Sequence, residues 1–366
     1  MIRTFHSVGQ GAFYTEKFEN FTMVYDCGST KKNINKEVKS SFIENDHVNL
    51  LFISHFHEDH INGLDTILKW CDVEYIVLPL LSDQTKIELY CESYKLNDQF
   101  INDLIFYPSE TIKKISPDTK IIYVRPFNLF KEDFIEIKLE EVGDEECIES
   151  GTKVYSNKID NWFFIPSNYE VSTRVKSLST KLQKLPFDVS TTETFINSWS
   201  KLANRKKIKN CFNSLKGNPN QNSMTLYSGA NDKKVTIDVL HHHMIGLGGV
   251  PLYFLFSRFR DHRSGCLYFG DYEAKDSQRW ENIRRVYSRY WDDIDTVQIP
   301  HHGSIENYNP NINSRVEIIS IISTGTNNSY KHPSAYTTSE IIKNNGILCN
   351  VTEVPLSRVQ YKVNKI

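Results

Sequence analysis

The chain has 366 residues, enough for one large domain or two modest ones. Hydrophobic residues make up 39% and charged residues 24%, which excludes a disordered chain. The 43 basic and 45 acidic residues give a net charge of −2, excluding a globally basic nucleic-acid coat while leaving room for a local basic groove.

Residues 23–25 lead into Asp26-Cys27-Gly28, a strand ending in a turn. Residues 49–53 are a nearly continuous apolar run, Leu50-Leu51-Phe52-Ile53 after Asn49, suited to a strand covered on both faces. A histidine cluster follows, then a helix over 64–70 and a strand over 74–78, an order that argues a layered α/β domain. Residues 132–149 carry nine acidic side chains and read as a solvated face. Residues 171–217 carry ten Lys or Arg, including Arg205, Lys206, Lys207 and Lys209, with helices around 190–202. We expect a single domain over 1–366 with a mostly helical insertion at about 85–217, basic in its part 171–217. That basic part either tracks phosphates or is a plain solvated helix face. Strands return at 223–227, 234–240 and 267–269. Residues 275–291 place Trp280, Ile283, Tyr287 and Trp291 at helical spacing, and strands follow at 296–300 and 317–322.

The first residues carry no leader-like apolar stretch, and no run of ~18 apolar residues occurs, so no membrane span is expected. Seven cysteines without a C-x-x-C pair give an expectation of reduced thiols in the cytoplasm.

The chemistry concentrates at 54–64. His55, His57, Glu58, Asp59 and His60 lie within six residues, directly after the apolar strand. Such a cluster is costly to bury unpaired, and imidazole with carboxylate suits zinc, manganese or iron. His55 and His57 are two apart and face the same way in extended backbone. Asp59 and His60 sit at a turn into a helix and can face a second ion. Val8-Gly9-Gln10-Gly11 supplies small residues where backbone can approach an anion, so Gly9, Gln10 and Gly11 are substrate-binding candidates, with a tight structural turn as the competing reading.

His55, His57, Asp59 and His60 match the H-x-H-x-D-H signature, and the sequence resembles the metallo-β-lactamase fold superfamily. The resemblance implies a four-layer αββα sandwich with two divalent ions, zinc or manganese, at the edge of two sheets. It implies that Asp271, in Phe269-Gly270-Asp271, bridges the ions. In order along the chain, Gly9-Gln10-Gly11, Asp26-Cys27-Gly28, residues 220–223, Gly270-Asp271, His301-His302-Gly303-Ser304 and His332-Pro333 look like the hydrolase domain of ComEC-type DNA-uptake proteins and their stand-alone soluble relatives. That likeness covers roughly 1–80 and 218–355, and it lacks the uptake channel. It implies that His332 completes the second ion's shell and that His301 and His302 line the site, as ligand or as general acid. Adjacent side chains diverge in extended backbone, so the pair is not expected to share one job. A further histidine of the wider superfamily is missing. Asn220 or Asn222 stands where it would be sought, and His241–His243 are a second place to look. Asp59, His301 and His302 are the catalytic candidates. The resemblance points to a metal-dependent phosphodiesterase or nuclease that activates water. A hydrolase of a small ester, lactone, β-lactam or cyclic nucleotide, and a metal-stabilised scaffold subunit, are the alternatives.

Overall fold

The apolar run at 49–53 belongs to a strand because both of its faces are covered. Leu50 and Phe52 face one core, and Val48, Leu51 and Ile53 face another. This computed structural model describes residues 1–366 apart from 32, 97, 129–134, 171–172, 216–222, 232–234, 241–261, 316 and 366. In chain order the strands are β1 (Ile2–Phe5), β2 (Phe13–Lys17), β3 (Thr22–Cys27), β4 (His47–Phe52), β5 (Asp72–Pro79), β6 (Lys120–Val124), β7 (Glu136–Lys138), β8 (Glu146–Ile148), β9 (Lys153–Tyr155), β10 (Trp162–Ser167), β11 (Thr225–Ala230), β12 (Val235–Val239), β13 (Gly265–Tyr268), β14 (Ile294–Gln298), β15 (Ile319–Ser323), β16 (Ile347–Val351) and β17 (Val359–Lys365). They form two sheets, in the orders β12-β17-β1-β2-β3-β4-β5-β6-β8 and β16-β15-β14-β13-β11-β10-β9-β7.

The two sheets bury a common core that includes Phe5, Tyr14, Tyr25, Phe164 and Tyr268. The outer face of the first sheet is covered by α1 (Ile34–Ser41), α3 (Leu64–Trp70), α4 (Asp83–Ser93), α5 (Gln99–Phe106), α6 (Pro108–Lys113), α7 (Thr173–Leu182), α8 (Thr192–Trp199) and α9 (Leu202–Asn213). The short α2 (Glu58–Ile61) lies between β4 and α3. The outer face of the second sheet is covered by the helices Ser277–Val286 and Ala335–Lys343. These are the four layers, helix–sheet–sheet–helix, that the resemblance implied. Among the described residues no helix is long and apolar enough to cross a membrane.

The central segment differs from expectation. It is not one helical insertion, because 120–167 supplies β6 and β8 to the first sheet and β7, β9 and β10 to the second. Among the described residues its α-helices lie in the flanks, α4–α6 and α7–α9. β10 shows why the strands were hidden. Trp162-Phe163-Phe164-Ile165 is buried throughout and lacks the alternation that marks a half-exposed strand. The acidic run follows the same segment, and its described part passes through β7, a turn and β8. The 275–291 helix is also shorter than its aromatic spacing suggests. It ends at Val286, and a 3₁₀ segment (Ser288–Asp293) carries Trp291.

Parallel pairing positions the chemistry. β3, β4, β5 and β6 run parallel, as do β13, β14, β15 and β16. Asp26 lies at the end of β3, and the loops leaving β4, β13, β14 and β15 carry the histidine cluster, Asp271, His301-His302 and His332. Loops at the carboxyl ends of parallel strands are where α/β sheets place their ligands.

Candidate metal centre

Two groups of ligand-type side chains come together. His55, His57 and Asp271 form one, and Asp59, His60 and His302 form the other, each with its candidate ligand atoms within 4.8 Å of one another. Asp271 reaches both. Its Oδ2 lies 3.6 Å from His55 Nε2 and 3.5 Å from His301 Nε2, and its Oδ1 lies 3.2 Å from His60 Nε2. His302 Nε2 is 3.1 Å from Asp59 Oδ2.

The local sequence explains how Asp271 gets there. Gly270 takes φ +54°, and its position leaves no room for a Cβ, which would meet Ser223 Oγ at 2.3 Å. The buried Gln298 clamps the turn, its Oε1 accepting from the Phe269 and Gly270 N–H groups at 2.8 and 2.7 Å. The Asp271 N–H donates to Ser223 Oγ at 3.1 Å. His301 and His302 both adopt left-handed backbone, φ +46° and +55°. The expectation that adjacent side chains must diverge assumed extended backbone and fails here, since both rings face the centre. Residues other than glycine hold such φ values at a cost of order 1–3 kcal/mol, so the surrounding packing enforces them.

Each ring is oriented by a second partner. The Ser54 hydroxyl donates to Asp26 Oδ2 at 2.6 Å, so its oxygen accepts from His55 Nδ1–H at 2.9 Å. His60 Nδ1–H donates to the same Asp26 oxygen at 2.7 Å. His302 Nδ1–H donates to the Ser323 carbonyl, and His301 Nδ1–H to Asn307 Oδ1, both at 2.8 Å. All four thus turn Nε2 toward the centre, the nitrogen each would offer a metal, and without one His302 Nε2 meets Asp59 Oδ2. The charges interlock as well. Burial opposes ionisation of Asp271, but His301, His60 and His55 hold it well below the usual carboxylate range. Burial likewise opposes a charged His60, but Asp271, Asp59 and Asp26 raise its pKa well above the ordinary imidazole value.

The donor set fits divalent cations. His55 Nε2, His60 Nε2 and Asp271 Oδ1 are buried and have no hydrogen-bond partner. Leaving such atoms unmatched costs ~1–3 kcal/mol each, and cations between the two groups would satisfy all three. His60 Nε2 and Asp271 Oδ1 approach each other at 3.2 Å, an ion-pair distance that a shared cation would replace.

Other expected site residues fall elsewhere. His332 lies outside both ligand groups, its ring centroid 5.7 Å from that of His301. The second group instead holds His302, which the sequence left open as ligand or acid and whose Nε2 reaches Asp59. Gly11 and Gly28 pack against the backbone of Asp59, where added Cβ atoms would meet it at 2.8 Å or less, and the Ala12 N–H donates to the Asp59 carbonyl. Gly9 sits against Glu353, and Gln10 is buried. Gly11 and Gly28 therefore allow close packing against the Asp59 backbone. Arg205 donates to the Trp199 carbonyl and Tyr94 hydroxyl, and Lys209 lies 4.4 Å from the Tyr94 ring centroid. These two cations are engaged with aromatic rings of the helical flank, while Lys206 and Lys207 are exposed. Asn220, Asn222 and His241–His243 lie outside the described residues. His6, His47 and His262, which carried no pattern, pair with Glu37, Asp72 and Asp295 away from the two ligand groups. Sequence reasoning missed the orienting roles of Asp26, Ser54 and Gln298, which have no spacing signature.

Residues 14–122 match the family model described as the Metallo-beta-lactamase superfamily. The fold is that of the metallo-β-lactamase superfamily. The matched span carries His55, His57, Asp59 and His60, and the rest of the centre comes from beyond it. Solved structures similar to this chain include the short form of human tRNase Z, at 11% identity and TM-score 0.31, covering 64% of this chain and 66% of that one. Zinc-bound PqqB from Methylobacterium extorquens is similar at 7% identity and TM-score 0.42, covering 96% and 98%. MEM-A1, a subclass B3 metallo-β-lactamase from a soil metagenome library, is similar at 11% identity and TM-score 0.30, covering 81% and 77%. No curated protein matches the chain by sequence.

Proposed function

We propose that this protein is a metal-dependent hydrolase of phosphodiesters, acting as a nuclease. The observation that carries the reading is Asp271, one carboxylate addressing two ligand groups with different oxygens. Two cations, zinc or manganese, when bound there supply Lewis acidity and lower the pKa of water. His55, His57 and Asp271 would hold one, and Asp59, His60, His302 and Asp271 the other. Asp26 keeps His60 in register through the 2.7 Å bond at Nδ1. His301, a third exposed, and His332 beside it stand outside the two groups. In this reading they are the imidazoles that would protonate a leaving oxygen. The nuclease assignment draws on the ComEC-type order of motifs, and the exposed Lys206 and Lys207 leave cations for a polymer backbone. A small phosphodiester, such as a cyclic nucleotide, is the second reading, favoured by the engagement of Arg205 and Lys209 with aromatic rings.

The test measures divalent content by elemental analysis, and hydrolysis of single-stranded DNA and of the p-nitrophenyl ester of thymidine 5′-phosphate, with Mn²⁺ or Zn²⁺ added. Wild type should cleave, and Asp271→Asn and His302→Ala should each lose roughly 10³-fold or more in kcat/KM. Equal cleavage by wild type and both variants, or none by the loaded wild type, sinks the assignment.

A further inference from the structure

His57 reverses the pattern of its neighbours. Its Nε2 stands 3.3 Å from Glu92 Oε2, so Nε2–H donates to that carboxylate, and in the neutral ring Nδ1 carries no proton. Glu92 lies in the last turn of α4, where the helix's carbonyl end opposes a negative charge and no basic residue of that turn offsets it. The compensation comes across space from His57. Glu92 is not a member of the group formed by His55, His57 and Asp271 among the described residues, so it holds the ligand and not the ion. α4 is itself seated by the helical flank. One turn before Glu92, Glu88 lies 2.7 Å from Arg174 Nε of α7. Just beyond α4, Arg205 and Lys209 of α9 grip Tyr94.

We propose that Glu92 is a positioning residue, whose carboxylate fixes the His57 tautomer that turns Nδ1 toward a cation and ties the affinity of that group to the seating of α4. The inference rests on the reading of His57 as a ligand. Carboxylates behind ligating histidines orient the ring and raise its basicity, and their loss costs metal affinity.

The experiment titrates Co²⁺ into the metal-free full-length chain, followed by its visible spectrum and by equilibrium dialysis with elemental analysis. Glu92→Ala should weaken one Co²⁺ by about 10–100-fold while leaving the ion count at saturation unchanged, and Glu92→Gln, whose Oε1 still accepts from Nε2–H, should come back to within about threefold of wild type. Nitrogen-15 NMR of the metal-free chain should show the Nε2–H tautomer of His57 in wild type and a mixture in Glu92→Ala. Thermal melts in chelator establish that the variants are folded. The inference is overturned if Glu92→Ala binds Co²⁺ as tightly as wild type, or if it loses one ion outright at saturation, which would make Glu92 a ligand. His57→Ala separates the two levels of the argument. Should it bind like wild type, the reading of the site fails; should it lose an ion while Glu92→Ala does not weaken, only the positioning role fails.

Discussion

Replacing Gly270 by alanine probes the turn that delivers Asp271. Gly270 sits at φ +54°, a region an L-residue enters at a cost of ~1–2 kcal/mol. The new Cβ would lie 2.3 Å from Ser223 Oγ, 2.8 Å from Ser54 Cβ and 2.9 Å from Ser54 Oγ. Relieving overlap in a packed site typically costs a further ~1–3 kcal/mol. The expected destabilisation is therefore ~2–5 kcal/mol. The displaced atoms also matter for function. Ser223 Oγ accepts from the Asp271 N–H, and Ser54 bridges Asp26 and His55. Urea unfolding of the metal-free chain in chelator isolates the fold term, and a Zn²⁺ titration of the same samples reads the site. Stability within ~0.5 kcal/mol of wild type, together with unchanged Zn²⁺ affinity, would refute the claim that this glycine is dictated by close approach, since that is the range of a neutral surface change.

Two further outcomes are expected. Burial pushes the His6 pKa down to about 4, against the opposing pull of Glu37 and with help from Arg358. The unfolded chain binds a proton on His6 near pH 6.5 and the folded chain does not, so stability is lost as pH falls from about 6.5 to about 4, by ~3 kcal/mol in all. His6→Gln should flatten the pH dependence of unfolding free energy over that window, and parallel profiles for the two proteins would contradict it. Tyr330 is 72% exposed and its ring lies parallel to His332, at 11° and 5.9 Å. If the substrate is single-stranded nucleic acid, that ring offers a stacking face worth ~1–3 kcal/mol per base, so Tyr330→Ala should raise KM for an oligonucleotide about 5–150-fold and leave kcat nearly unchanged. An unchanged KM would remove Tyr330 from the substrate path.

The histidine-rich turn was legible from residue types alone, because burying imidazoles and carboxylates so close together is costly without partners. The apolar run before it fixed a doubly covered strand, and with it the layered architecture. Asp271 was legible only through a resemblance, since an aspartate after glycine is otherwise an ordinary turn. What the chain's order concealed was set by contacts between distant segments. The strands between 136 and 167 have no period because both faces are covered or their length is three residues. His302 joins Asp59 and His60 while His301 and His302 hold left-handed backbone, a state that neighbouring packing enforces and composition does not announce. Asp26 and Glu92 reach their histidines across 34 and 35 positions. Hydrogen bonds of that span exist only once the sheets and helices are packed, so tertiary structure alone decides which nitrogen each ring presents.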